Sequence, residues 1–91
     1  MLSLRIVVYG KVQGVFFRKY TQQIAKSLSL EGFVRNNRNG SVYIEVTGEE
    51  DPVNKLMEWC KKGPAASKVE KIETEEITPS SYKGFEIRHT V

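Results

Sequence analysis

The segment from Gly10 to Arg18 combines the residue types that bind an anion. Gly10 and Gly14 stand four positions apart, and Arg18 follows four positions later. Glycines let the backbone turn so that successive N–H groups point into one hollow, and an arginine can add a bidentate contact to the same anion. The segment therefore favours a phosphate cradle, with a tight turn followed by a surface cation as the open alternative. The segment is not a Walker A loop, because the Gly-Lys-Ser/Thr ending is absent, and its glycine spacing does not fit the dinucleotide-binding fingerprint.

Asn36 is the second candidate for chemistry. It lies near the predicted end of the strand that follows the first helix, so it can face the cradle loop. A side-chain amide both donates and accepts hydrogen bonds, which suits it to hold a water molecule. Asn37 and Asn39 fit hairpin residues better, because asparagine is common in tight turns.

The cradle must join a strand to a helix. Apolar residues alternate over 3–9 in a β-branched run, which predicts a strand with Leu4, Ile6 and Val8 on its inner face. Apolar residues then recur every three or four positions, which predicts a helix over about 17–29. The start of that helix would contribute unpaired N–H groups and the positive end of its dipole to the loop.

The rest of the chain completes a β-α-β-β-α-β order. The further predicted elements are a strand from Phe33, a hairpin turn at Asn39-Gly40, a strand over 42–47, a helix with Asp51 as N-cap and Pro52 as first residue that ends at Gly63-Pro64, a strand over 69–77 and a last strand from Phe85. This order is typical of the ferredoxin-like α+β sandwich, in which two helices cover one face of a mainly antiparallel sheet of four to five strands. The length predicts a single domain over residues 1–91.

Composition narrows the function classes. Hydrophobic residues make up 40% and charged residues 27%, which is typical of a folded domain, and no apolar run approaches the ~20 residues of a membrane span. The start of the chain lacks the layout of a signal peptide. A single cysteine, Cys60, and a single histidine, His89, argue against a disulfide framework and against a metal site. We therefore expect a cytoplasmic monomer without metal or cofactor.

Charge is unevenly distributed along the chain. Residues 1–40 carry seven cations and one acid, whereas residues 41–91 carry seven cations and ten acids. Clustered cations attract anions, so the first half fits an anionic ligand, with chance asymmetry as the alternative. No general base is predicted beside the cradle, because Cys60 falls in a helix core and His89 near a strand end. Such a site suits an activated phosphate with a good leaving group better than a phosphate monoester.

Two motifs resemble the signatures of the acylphosphatase family. They are the stretch from Tyr9 to Arg18 (YGKVQGVFFR) and the stretch from Gly32 to Asn36 (GFVRN), which is followed by Gly40-Ser41-Val42. Gly48, the Gly63-Pro64 break and the closing run over residues 84–88 also fall where that family has comparable residues. The resemblance therefore covers essentially the whole chain.

The resemblance implies a hydrolase that cleaves the carboxyl–phosphate anhydride of acyl phosphates without metal, giving a carboxylate and inorganic phosphate, which is also an inhibitor. Arg18 would bind the phosphoryl group together with loop N–H groups, and Asn36 would orient the attacking water. The implied phosphate-binding residues are Lys11, Val12, Gln13, Gly14, Val15 and Arg18. The implied supporting residues are Gly10, Phe16 and Thr21, of which Thr21 would help to hold Asn36.

Two residues depart from the family pattern. Lys11 stands where the family usually has arginine, and Phe16 stands where it usually has glycine or cysteine. The large ring of Phe16 could narrow the mouth of the site, pack on the acyl group of the substrate or turn into the core.

Two other functions remain open. A non-catalytic domain could use the same cradle to bind a phosphorylated metabolite, with Phe16 blocking turnover. An RNA-binding module on the same fold is the weaker alternative, because the run Lys83-Gly84-Phe85 falls on the last strand instead of the third. We expect neither a nucleic acid nor a membrane as a partner.

Overall fold

Two helices and five strands build the described part of the chain. A computed structural model describes residues 1–90. The elements in chain order are β1 (Leu2–Lys11), α1 (Phe17–Ser27), β2 (Glu31–Asn36), β3 (Val42–Gly48), α2 (Glu50–Lys62), β4 (Lys68–Glu76) and β5 (Phe85–Ile87). The predicted β-α-β-β-α-β order is confirmed, and so is the short fifth strand predicted from Phe85.

The strands form one sheet in the order β4-β1-β3-β2-β5. All neighbouring strands are antiparallel except β2 and β5, which run parallel. Helix α1 packs on β2 and β5, α2 packs on β1, β3 and β4, and the two helices contact each other. The predicted ferredoxin-like α+β fold is therefore confirmed. Neither helix of the described chain is both long and apolar enough to cross a membrane.

The sheet topology brings three chain segments to one end of the sheet. Strands β1 and β2 both run antiparallel to β3, which lies between them, so β1 and β2 point in the same direction. Val8 and Asn36 are both register partners of Val42. Strand β5 runs parallel to β2, with Ile87 opposite Val34. Three segments consequently meet at the same end of the sheet: the loop after β1, the end of β2 and the end of β5.

The core lies between the sheet and the two helices. The alternation predicted for β1 is confirmed, because Leu4, Ile6 and Val8 are all buried. The helices contribute further buried side chains, among them Phe17 from α1 and Leu56 from α2. A side chain that follows a buried one at a spacing of two on a strand points to the same face of the sheet. A strand-end residue two positions after a buried residue therefore points to the same face of the sheet as the core.

The helix ends differ in part from the predictions. Helix α1 ends at Ser27, before the predicted end, because Ser29 adopts a left-handed conformation (φ 57°) and the Leu30 N–H donates to the Ala25 carbonyl (2.9 Å). This hydrogen bond closes the helix in the way that is common at helix C-termini.

The prediction of Asp51 as the N-cap of α2 is wrong. Helix α2 begins at Glu50, and Glu49 is the N-cap residue, with an extended backbone and no side-chain cap hydrogen bond. Asp51 lies in the first turn instead, where its charge complements the helix dipole. Pro52 also fits there, because the first-turn N–H groups of a helix have no intrahelical acceptor.

Candidate active site

The loop between β1 and α1 exposes a continuous run of unpaired backbone donors. Lys11 ends β1 and Phe17 begins α1, so residues 12–16 form the loop. None of the N–H groups of residues 12–19 donates a hydrogen bond within residues 1–90. The first bonded N–H is that of Tyr20, which donates to the Phe16 carbonyl (3.1 Å). The loop and the first turn of α1 together leave these donors without protein acceptors, an arrangement that is suited to an anion.

Left-handed backbone conformations at two positions shape this loop. Gly14 has φ 74° and Phe16 has φ 61° with ψ 25°. No atom lies within 4 Å of the position that a Cβ on Gly14 would occupy, so this glycine serves backbone conformation and not close packing. Alternation of right- and left-handed residues turns successive N–H groups towards one concavity, which is an anion-binding arrangement.

Arg18 places an uncompensated positive charge beside these donors. It lies in the first turn of α1, which contains no acidic residue. Its Nη1 atom donates a long hydrogen bond to the carbonyl of Arg88, just past β5 (3.4 Å). Neither Arg18 nor Lys19 forms an ion pair within residues 1–90. Because cations are disfavoured at a helix N-terminus, the arrangement is suited to an anionic ligand that neutralises them.

Asn36 turns towards the loop from the end of β2. It follows the fully buried Val34 at a spacing of two, so both side chains point to the face of the sheet that the helices cover. The Asn36 side-chain amide makes no hydrogen bond within residues 1–90, although it is half-buried. An amide that is free to donate and accept can hold a ligand or a water molecule.

These groups line one pocket with a volume of about 280 Å³. The lining residues are Val12, Gln13, Gly14, Phe16, Phe17, Arg18, Lys19, Asn36 and Ile87. The pocket therefore brings together Arg18, Asn36 and most of the predicted cradle. Lys11 and Val15 do not line it: Lys11 is the exposed last residue of β1, and the side chain of Val15 is buried in the core.

The two remaining supporting residues have structural contacts of their own. Gly10 lies at an irregularity between β1 and β4, where a Cβ would collide with the backbone of Lys68. Thr21 is fully buried, and its hydroxyl donates to the carbonyl of Phe17 (2.8 Å). The structure records no hydrogen bond between Thr21 and Asn36. The single proton of the hydroxyl is thus directed at the helix and not at Asn36.

The side chain of Gln13 contributes a contact that the sequence did not predict. Its Nε2 atom donates to the carbonyls of Asn37 (2.7 Å) and Ser41 (2.9 Å), which ties the loop to the β2–β3 turn next to Asn36. Within that turn, the Asn39 carboxamide oxygen accepts from the Ser41 N–H (3.0 Å), which fits the predicted role of Asn39 in the hairpin.

Phe17, Lys19 and Ile87 are three pocket residues that the sequence analysis did not assign to the site. Lys19 could have been found, because it follows Arg18 at the predicted helix start. Ile87 could not have been found, because its place in the pocket depends on the parallel pairing of β5 with β2, which no local sequence pattern indicates.

Similar proteins agree with this geometry. A family model described as acylphosphatase matches residues 4–87. An acylphosphatase of Thermotoga maritima is 42% identical over 89 residues, which are 98% of this chain and 99% of that protein. The chain belongs to the acylphosphatase family.

Two solved acylphosphatase structures have nearly the same backbone. The acylphosphatase of Bacillus subtilis superimposes with a TM-score of 0.92 at 37% identity, over 97% of this chain and 99% of that one. The acylphosphatase of Coxiella burnetii also gives 0.92, at 38% identity, over 96% of this chain and 92% of that one. Membership of the acylphosphatase family makes the protein an enzyme that hydrolyses acyl phosphates. The alternatives of a non-catalytic binding domain and of an RNA-binding module are not favoured.

Phe16 departs from the acylphosphatase pattern, and its backbone conformation shows why a small residue would fit this position better. The left-handed conformation at this position (φ 61°) is one that glycine adopts without strain and that a bulky residue rarely adopts. The ring does not turn into the core, because 72% of the residue is exposed; it lines both this pocket and a second cavity beside Tyr20 and Trp59. An aromatic ring therefore stands on a backbone conformation that suits glycine.

Other reactive side chains of this acylphosphatase lie away from the pocket. Cys60 is fully buried in α2, and burial raises the pKa of its thiol far above the usual range, so the thiolate is not formed near neutral pH. His89 is exposed beyond β5 and does not line the pocket. No group of three or more His, Cys, Asp or Glu side chains in residues 1–90 could hold a metal ion.

Proposed function

We propose that the pocket between the β1–α1 loop and the end of β2 is where this enzyme hydrolyses acyl phosphates. The observation that carries the proposal is the run of unpaired N–H groups over residues 12–19, with Arg18 beside it and no acid in the same turn. A phosphoryl group offers several anionic oxygens, which match both the backbone donors and the planar guanidinium. The cradle is thus complementary to the charge of the reacting group.

Arg18 and Asn36 take separate roles on this proposal. Arg18 and the loop N–H groups bind the phosphoryl oxygens, whereas the free amide of Asn36 orients a water molecule for attack on phosphorus. The water oxygen forms a bond to phosphorus as the bond between phosphorus and the acyl oxygen breaks. The carboxylate leaves with that electron pair, and the proton of the water passes to a phosphate oxygen. The products are a carboxylate and inorganic phosphate.

The absence of a general base in the pocket lining limits the substrates. The lining residues include no Asp, Glu, His, Cys or Tyr. Phosphoryl transfer needs positioning and charge stabilisation more than proton abstraction, and a carboxylate leaves without being protonated. Monoester hydrolysis needs up to ~10²¹-fold acceleration, which this set of groups is not equipped to supply. The site therefore fits acyl phosphates and not phosphate monoesters.

The broader assignment is a single catalytic domain over residues 1–91 that acts as a cytoplasmic monomer without metal. Few large apolar side chains of residues 1–90 are exposed, which supports the monomer. Light scattering would report a mass above 10.4 kDa if the protein associated.

The test compares wild type with Arg18→Ala and Asn36→Ala on benzoyl phosphate and p-nitrophenyl phosphate, with a chelator present. Wild type should hydrolyse only benzoyl phosphate. Loss of one preorganised donor typically lowers kcat about 10²–10³-fold, so we expect that loss for Arg18→Ala, with weaker inhibition by inorganic phosphate. Asn36→Ala should lower kcat about 10²-fold and leave phosphate inhibition within about 3-fold, because misplacing the water does not alter the cradle.

Arg38→Ala is the matched control, because Arg38 is an exposed arginine of the β2–β3 turn that does not line the pocket. Its kcat and phosphate inhibition should equal those of wild type. Equal loss of phosphate inhibition in Arg18→Ala and Asn36→Ala would contradict the separate roles. Loss of activity on chelation would contradict catalysis without metal.

A further inference from the structure

Two of the four exposed large apolar side chains of residues 1–90 line the pocket. In residues 1–90 the exposed large apolar side chains are Met1, Phe16, Tyr20 and Ile87. Phe16 is 72% exposed and Ile87 is 41% exposed, and both line the pocket. Two apolar groups therefore border a cavity whose other exposed or half-buried residues are polar or glycine.

The polar and apolar parts of the lining face different parts of an acyl phosphate. The phosphoryl group is directed to the cradle and to Arg18, whose Nη1 contacts the Arg88 carbonyl, one residue after Ile87. Phe16 directly precedes α1, at the end of the cradle. The two apolar side chains therefore come from different chain segments and line the same pocket as Arg18. An acyl group attached to a phosphoryl group in the cradle lies within the same pocket and can contact them.

The conformation of Phe16 indicates a role outside folding. An aromatic residue with φ 61° is strained, and its exposed ring recovers little burial in return. Strained residues with no compensating packing are concentrated at ligand sites. A contact between the ring and a bound ligand would use the apolar surface that the fold leaves open.

We propose that Phe16 and Ile87 form an apolar rim that binds the acyl group, so that the enzyme prefers aromatic and branched apolar acyl phosphates to acetyl phosphate. The proposal rests on the proposed function, because it places the phosphoryl group in the cradle. The rim contacts the acyl group equally in the ground state and in the transition state, so it lowers KM and does not change kcat. An aromatic contact of this kind changes affinity roughly 3- to 10-fold, which corresponds to about 0.6–1.4 kcal/mol.

The experiment measures KM for benzoyl phosphate and for acetyl phosphate in wild type, Phe16→Ala and Ile87→Ala. Alanine removes the side chain and leaves Cβ in place. Phe16→Ala should raise the ratio of KM for benzoyl phosphate to KM for acetyl phosphate roughly 3- to 10-fold, and Ile87→Ala should raise it about 2- to 4-fold. Phe16→Leu, which restores an apolar side chain, should recover part of the ratio.

Tyr9→Ala is the control, because Tyr9 is a partly exposed aromatic residue of β1 that points to the face of the sheet opposite the buried Val8 and does not line the pocket. Its ratio of KM values should equal that of wild type. The rim is refuted if the rim variants leave the ratio unchanged, or if Tyr9→Ala changes it equally. It is also refuted if kcat falls while KM stays constant. Failure of wild type to hydrolyse either substrate would instead overturn the proposed function, and the rim with it.

Discussion

Glycine at position 16 is expected to give a more stable protein than alanine at the same position. Both substitutions remove the ring of Phe16, so the few contacts that the ring makes cancel in the comparison. An L-residue in the left-handed conformation costs about 1–2 kcal/mol, which alanine would bear and glycine would not. Glycine loses about 0.5–1 kcal/mol in backbone entropy. The difference favours Phe16→Gly over Phe16→Ala by about 0.5–1 kcal/mol in free energy of unfolding.

Thermal and urea unfolding of the two variants would measure this difference. For a domain of this size, the expected stabilisation raises Tm by roughly 2–8 °C. Urea unfolding should move the midpoint without changing the slope, because the surface exposed on unfolding is almost the same. Both measurements are independent of catalysis, so they test the backbone conformation and not the role of the ring.

Two other positions serve as controls: at one we expect the glycine variant to be more stable than the alanine variant, and at the other we expect the reverse. Ser29 is the other non-glycine residue of the described chain with positive φ (57°), so Ser29→Gly should also be more stable than Ser29→Ala. Gln23 is exposed in the middle of α1, where glycine should be less stable than alanine by about 1 kcal/mol. If position 16 behaved like position 23, with alanine the more stable, the left-handed conformation assigned to Phe16 would be refuted.

Two further perturbations follow from side-chain contacts. Gln13→Ala removes two hydrogen bonds that hold the cradle loop to the β2–β3 turn, so we expect a loss of about 1–2 kcal/mol in stability and parallel rises in KM and in the phosphate inhibition constant. The control is Gln22→Ala, which removes a hydrogen bond to the Phe85 carbonyl and should lower stability while the phosphate inhibition constant stays the same; a rise of that constant in both variants would contradict a specific role. Burial and the hydrogen bond to Glu45 raise the pKa of Tyr43 from 10.0 to about 12, so the folded state holds this proton more tightly and stability should fall as pH rises from about 10 to 12. Urea unfolding across that range should show a shallower fall for Tyr43→Phe, and equal falls would contradict the assignment.

The parts of the site predicted from sequence are those that local patterns determine. The alternation in β1 and the glycine pair before the helix placed the cradle, because backbone period and glycine spacing are read along the chain. Asn36 was placed at a strand end by the same reasoning. The N-cap of α2 was misplaced by two residues, because Glu49, Glu50 and Asp51 give consecutive acidic residues and none of them caps the helix through its side chain.

The parts that were missed depend on tertiary contacts. The two hydrogen bonds donated by the Gln13 side chain join segments far apart in sequence. Ile87 reaches the pocket only through the parallel pairing of β5 with β2. The left-handed backbone conformation at Phe16 was missed for a different reason. A bulky aromatic residue predicts a right-handed or extended conformation, so its type argued against the left-handed backbone that the fold imposes. In the sequence, position 16 stands out only because the acylphosphatase family usually has glycine or cysteine there.

The proposed chemistry explains how this chain tolerates its departures from the family pattern. A cradle made of backbone N–H groups depends on the conformation of residues 12–16 and much less on their side chains. Lys11 is exposed and does not line the pocket, so lysine in place of arginine there does not alter the donors. Phe16 keeps the left-handed conformation in spite of its ring, so the direction of the neighbouring N–H groups is retained. On the proposed function, side chains around such a cradle are therefore free to change substrate preference, whereas Arg18 and Asn36 would act through their own atoms and would not be replaceable in this way.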